Sequence, residues 1–350
     1  MRVLMVIRGA GIGDVITFTG CARSLKEDHG IETFVQCAPK GHDYCARNPW
    51  IAGFAKDRPA GAFDHEIDMM RAVIGGEDLA DQTRHGVLVR SRIEMAADVW
   101  SRKLAVPVRP TLPAYEVPEA ERVWARAWFA AEKLDPARCV AFQPIAKNAW
   151  RTWPRALSRR FVELVEKGQG LPLRHKERAG RETQSVSRPL GVPFVPLSLG
   201  GESFSVLVFH HRLDEIETIG GRRVIADHFW KAAAILSQCP LLVAVDSGLF
   251  HLAGALGVPA VGLFASTTGK VIAGVYPRAT FLQGHPPHGG CRAPCHKQRS
   301  RGFIRAKCWH VGCEAMWTLE PDVVWTHVRQ RIRPQTQEAV SDQLRSKAEG

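Results

Sequence analysis

The 350-residue sequence predicts an α/β protein made of two Rossmann-like domains, each built on a parallel sheet. Three observations predict it. Residues 2–7 (RVLMVI) form a short apolar run that feeds a glycine loop and then a helical pattern. A proline-bearing stretch, Pro107 to Pro118, breaks that rhythm, and a new apolar run, CVAFQ, opens at 139–143. The densest segment, 241–264, reads strand, Asp-Ser-Gly turn, small-residue helix, strand. Short apolar runs bounded by turn residues are typical of strands buried on both faces, as in parallel sheets.

In order, RVLMVI gives the first strand. After RGAGIGD, the residues Val15, Phe18, Ala22 and Leu25 recur at helical spacing, and the helix ends near Gly30. Residues 32–38 and 63–69 read as the second and third strands. This alternation implies right-handed βαβ units. Beyond the proline-bearing linker come a helix at 119–134, the strand 139–143, a polar turn with Lys147 and a helix near 155–167. Strand 205–209, helix 228–238, strand 241–245, helix 249–256 and strand 259–264 follow. Residues 168–204 lack a clear period and read as an irregular insertion. A last helix, 321–332, precedes a polar tail at 333–350 that is expected to fray. The expected domains are therefore 1–112 and 113–332, with a basic, cysteine-rich lobe at 284–318.

Hydrophobic residues make up 45% of the chain and charged residues 23%, ordinary values for a folded globular protein. No apolar stretch reaches the ~18–20 residues of a membrane span. The N-terminus runs straight into a strand and does not resemble a signal peptide, so a cytoplasmic location with mostly reduced cysteines is expected. The formal net charge of +12 favours anionic partners: nucleotides, phosphorylated glycolipids, membrane surfaces or nucleic acid. Residues 284–313 contribute Arg292, Lys297, Arg299, Arg301, Arg305 and Lys307 with no acidic residue.

Three segments carry chemistry. In the first, Arg8 to Asp14, glycines let backbone approach a ligand at a helix N-terminus. The loop departs from a dinucleotide fingerprint, because Asp14 stands where the third glycine belongs. The second strand also ends in Cys37-Ala38, without the acidic ribose partner. Asp14 also fits the helix N-cap. The second segment, 243–267, places Asp246-Ser247-Gly248 at the carboxyl end of a buried strand, where open α/β sheets bind ligands. Ser247 and nearby amides suit a diphosphate, with His251 one turn further on. In the third segment, 143–154, Lys147 and Arg151 suit phosphate oxygens. The alternative for this segment is a solvated loop whose tryptophans, Trp150 and Trp153, pack for interdomain contact.

Read together, GIGDV at 11–15, RTWP at 151–154 and DSGLFHLAGALGVP at 246–259 resemble glycosyltransferase family nine, the ADP-heptose:lipopolysaccharide heptosyltransferases and their relatives. The resemblance runs in order from residue 2 to about 331, and the 168–204 region stands outside it. It implies a GT-B architecture, two Rossmann-like domains facing across a cleft. The acceptor would bind the N-terminal domain and the nucleotide-diphosphate sugar the C-terminal one. The resemblance further implies an inverting transferase in which Asp14 is the base, held by the loop of Gly11 and Gly13. Lys147 and Arg151 would neutralise the departing diphosphate, while Asp246, Ser247, Gly248 and His251 line the donor pocket. Thr267, Thr268 and Lys270 follow the next strand within reach of it. No cofactor is needed for this chemistry.

Cys291, Cys295, Cys308 and Cys313 stand near zinc-ribbon spacing and suit a structural zinc or reduced thiols, with disulfides a lesser alternative in a reducing compartment. The acceptor is expected to be an anionic glycolipid or a saccharide, with peripheral contact at an anionic inner membrane face. Modified bases of DNA are the alternative acceptor, and a non-catalytic nucleotide-sugar-binding module is the other alternative function.

Overall fold

The computed structural model describes residues 1–168, 203–210, 217–291, 293–295 and 312–332. The N-terminal sheet contains β1 (Arg2–Ile7), β2 (Glu32–Cys37), β3 (Ile51–Ala55) and β4 (His65–Asp68), in the order β3-β2-β1-β4. The second sheet contains β5 (Cys139–Gln143), β6 (Ser205–Phe209), β7 (Arg222–Val224), β8 (Leu241–Val245), β9 (Ala260–Phe264) and β10 (Ala279–Gln283). Its order is β10-β9-β8-β5-β6-β7. Every pairing is parallel.

The helices fall between the strands, as crossover connections require. The N-terminal part carries α1 (Ile12–Phe18), α2 (Ala22–His29), α3 (His42–Cys45), α4 (Leu79–His85) and α5 (Arg92–Leu104). Then come α6 (Glu119–Ala131), α7 (Arg155–Lys167), α8 (Phe229–Leu236), α9 (Gly248–Leu256), α10 (Gly269–Ala273) and α11 (Pro321–Ile332). The helix expected between 12 and 30 is split into α1 and α2 by a short 3-10 turn, and Gly30 closes α2 at φ 63°. The strands at 139–143, 205–209 and 241–245 and the helix at 321–332 lie where the sequence puts them. The stretch read as the third strand is the fourth in chain order, because the short Ile51–Ala55 intervenes. The irregular insertion lies mostly outside the described residues, as does the tail.

Burial alternates across the second sheet. Val140, Phe142, Val206, Val208, Val243 and Leu263 face one way, onto α7 and α11. Ala141, Leu207, Phe209, Leu242, Ala244 and Phe264 face the other way, into a core continuous with that of the N-terminal sheet. Trp153 belongs to the first of these cores: it is fully buried, stacks edge-on against Phe142 and Phe161, and donates Nε1–H to the Leu319 carbonyl at 3.1 Å. Trp150 packs there too. The alternative of interdomain packing for these tryptophans does not hold, since both lie in the core of their own sheet.

The two halves are joined by other groups. Asp43 Oδ2 accepts from the Phe229 amide at 3.1 Å, so a carboxylate beside the first sheet caps a helix of the second. Trp124 and Trp230 meet edge to face at 5.0 Å. At the cleft, α1 packs against the start of α9. A Cβ on Gly248 would lie 2.3 Å from Ile12 Cγ2, and one on Gly13 would lie 3.0 Å from His251 Cδ2. Glycine at both points lets the two helix starts touch.

Candidate active site

Both sheets reverse their direction of growth at an internal point, and ligands in open α/β sheets bind outside the strand carboxyl ends at such points. In the first sheet the reversal lies between β1 and β4. In the second it lies between β5 and β8. The loops leaving these four strands converge on one cleft of about 320 Å³. Its lining includes Gly11 and Asp14 after β1, Met70 and Asp78 after β4, Lys147 and Arg151 after β5, and Asp246 and His251 after β8. Topology thus gathers residues more than two hundred positions apart.

Asp14 sits at the third position of α1, and Gly11 is the N-cap. The N-cap placement is therefore corrected: the carboxylate instead reaches back, its Oδ2 accepting from the Gly11 amide at 2.9 Å. Its Oδ1 accepts from Arg92 Nη1 at 2.7 Å. The other arm of Arg92, Nη2, lies 3.1 Å from Asp78 Oδ2. Burial drives the Asp78 carboxyl above its ordinary pKa against the pull of Arg92. Burial works against the charge on Arg92 as well, yet Asp78, Asp14 and Asp246 together hold its pKa above the ordinary value.

Across the cleft, Arg151 Nη1 lies 3.4 Å from Asp246 Oδ1, and Thr267 Oγ1 donates to Asp246 Oδ2 at 3.1 Å. Lys147 lines the same cleft and is exposed. The Ser247 hydroxyl is already engaged, donating to Gln143 Oε1 at 2.5 Å and capping Phe250 N at 3.4 Å. Ile12 and Gly13 cover the beginning of α9, so the amides there are less open than a solvent-facing helix start. Lys270 is exposed and is not among the residues that line the cleft.

His251 Nδ1 lies 2.8 Å from the Tyr276 hydroxyl. Burial lowers the imidazole pKa to about 4, outweighing the opposite pull of Asp246 and Asp14. Burial also raises the Tyr276 phenol far above its usual range. Both groups are therefore neutral at pH 7. A histidine held at a depressed pKa stabilises the fold above about pH 6.5, and that stability is lost as pH falls towards 4. The loss is expected to be roughly 2 kcal/mol, after discounting for partial exposure. Urea unfolding followed from pH 7 to pH 4 should show it, and His251→Gln should remove that part of the slope.

Tyr276 reaches this position because Gly254 has no side chain. A Cβ there would stand 2.2 Å from Tyr276 Cδ1, and the ring is only 2% exposed. Gly254→Ala is expected to cost about 1–3 kcal/mol through overpacking, read as a lower urea midpoint.

The comparisons with known proteins fit this geometry. Residues 228–300, which hold the Asp246 turn and His251, match the model of glycosyltransferase family 9 (heptosyltransferase). Over that stretch the chain is similar to the family 9 glycosyltransferases. No curated protein matches its sequence. Its fold resembles that of ADP-heptose lps heptosyltransferase II from E. coli at a TM-score of 0.58 and 14% identity, over 97% of this chain and 100% of the other. A family 9 glycosyltransferase from Veillonella parvula DSM 2008 aligns at 0.62 and 14% identity, over 95% and 97%. E. coli heptosyltransferase WaaC with ADP aligns at 0.55 and 14%, over 94% and 97%. The architecture is GT-B.

Five further residues line this cleft that the sequence does not single out: Arg92, Asp78, Thr17, Gln82 and Tyr276. A signal for Arg92 was present, since Ser91 and Glu94 form a capping box that announces α5. Of the four expected metal ligands, Cys308 lies outside the described residues. Cys313 is buried, Cys291 packs against the same core, and Cys295 is half-buried. Among the described residues, no three His, Cys, Asp or Glu side chains are grouped to hold a metal ion. Among them, too, no helix is long and apolar enough to cross a membrane.

Proposed function

We propose that the protein is an inverting transferase that moves a sugar from a nucleoside-diphosphate sugar, ADP-heptose-like, to a hydroxyl of a glycolipid or saccharide acceptor. One observation carries this reading. A carboxylate on the first glycine loop shares a cleft with the cations of the opposite domain, Lys147 and Arg151. Asp14 takes the proton of the acceptor hydroxyl as that oxygen attacks the anomeric carbon. The bond to the diphosphate breaks on the other side, and the charge left there is stabilised by Arg151 and Lys147. Asp246 holds Arg151 in place, and Thr267 in turn orients Asp246. His251, being neutral, serves as a hydrogen-bond partner and adds no charge beside the leaving group.

Asp14 on one side of the cleft and Arg151 with Lys147 on the other leave each substrate its own side. The ADP moiety is the first candidate because a fold relative is known with ADP bound. A panel of nucleoside-diphosphate sugars read by thermal shift tests the donor half. At about 100 times its Kd a true donor adds about 2.7 kcal/mol of stability. A panel in which no diphosphate sugar raises the midpoint above the matched monophosphates would contradict the assignment.

A further inference from the structure

Arg92 is a cation between two carboxylates, and nothing in the proposed chemistry has yet used it. Its guanidinium spans Asp14 Oδ1 at 2.7 Å and Asp78 Oδ2 at 3.1 Å. The side chain is 37% exposed, whereas Asp78 is only 5% exposed. Asp78 ends a π-helical segment, Met70–Asp78, and Arg92 opens α5. A second arginine fixes these two elements together. Arg90 bonds Glu77 at 2.9 Å, Asp81 at 2.7 Å and Asp98 at 2.9 Å, so its charge is consumed in the scaffold.

We propose that Arg92 and Asp78 are positioning residues that set the proton affinity and the orientation of Asp14; the proposal rests on Asp14 being the base. At rest the three groups carry one net negative charge. When Asp14 takes the acceptor proton, it becomes neutral, and Arg92 remains balanced by Asp78. Proton uptake therefore discharges the cluster and leaves the buried Asp78 carboxylate paired with its cation, whereas an unpaired one would be costly. Without Asp78, the whole guanidinium charge would fall on Asp14 and make it a poorer base. Without Arg92, Asp14 would face Asp78 with no cation between them. The other charged or titratable groups facing this point are Arg90 and Asp81 on the same side, and Asp246, Arg151, His251 and Lys147 across the cleft.

Opposite charge changes must then act in opposite directions. Asp78→Asn should move the titration midpoint of Asp14 down by about one pH unit, and Arg92→Met should move it up by a similar amount. The acid limb of the kcat profile should follow in the same two senses, with kcat about 10-fold lower in each variant and donor KM little changed. Arg92→Lys, which keeps the charge, should restore the midpoint to near its original value while recovering only part of kcat. The midpoint is read by 13C NMR of labelled aspartate carboxyls in the full chain, which needs no turnover. Both variants leaving the midpoint in place, or moving it the same way, would overturn the proposal. Wild-type protein with no transfer activity, but with the opposed NMR shifts, would instead count against the transferase reading and leave the pair standing.

Discussion

Asp14→Asn is expected to lower kcat by at least ~10²-fold while nucleotide-sugar affinity survives. The amide keeps the size of the carboxylate and an oxygen for the Gly11 amide, so the first turn of α1 retains its cap. What is lost is the ability to take a proton. Arg92 loses one of its two anions and keeps Asp78, so the wall is not left with an unbalanced cation. Asp14→Ala would mix this chemical loss with a missing cap and is the weaker choice. Steady-state kinetics with a donor titration in parallel would check the result. Turnover near the wild-type rate would show that another group accepts the proton.

Arg151→Met is expected to have a different signature: a loss of about 10²- to 10³-fold in kcat, the scale of removing one fixed group that stabilises developing charge. Affinity for nucleoside diphosphate should fall as well, because the same cation faces the ground-state phosphates. Methionine preserves much of the aliphatic volume beside the 149–151 turn, so the effect reports on charge. Asp246 then loses its 3.4 Å partner but keeps the Thr267 hydroxyl at 3.1 Å. The pair of variants thus separates the two walls of the cleft. One should affect chemistry alone; the other should affect chemistry and binding together.

The buried strands were legible because continuous apolar runs have few other uses. β5, β6 and β8 sit in the middle of their sheet, and each reads in the sequence as a block of branched or aromatic residues. Of the edge strands, β4 was legible and the other three were not. β7 is RRV, with only its last residue buried, and β3 and β10 are largely half-exposed, so neither the continuous nor the alternating pattern is present. The segment 70–78 holds Gly75 and Gly76, which weaken any helical reading, and its π-helical form follows no simple period.

At the site, residues next to a glycine-rich turn were readable, because such turns have a local logic. Asp14 and Asp246 were read that way, and Arg151 was read as a cation on a loop leaving a strand. Lys270 was read by adjacency alone, and in the fold it is exposed and stands outside the cleft lining. Arg92 and Asp78 could not be paired with Asp14 from the sequence, since they stand 78 and 64 positions away and meet only through packing of α5 and the π-helical segment. Hydroxyl roles are equally hard to read: Ser247 looks free in the sequence and is spent on Gln143 in the fold.

A crystal of the protein soaked with ADP tests the central claim most directly. The account predicts the diphosphate against Arg151 and Lys147 near the start of α9, with the Asp14 carboxylate across the remaining gap where the sugar would sit. A diphosphate seated on the Gly9–Gly13 loop, or on a surface that Asp14 does not face, would contradict it.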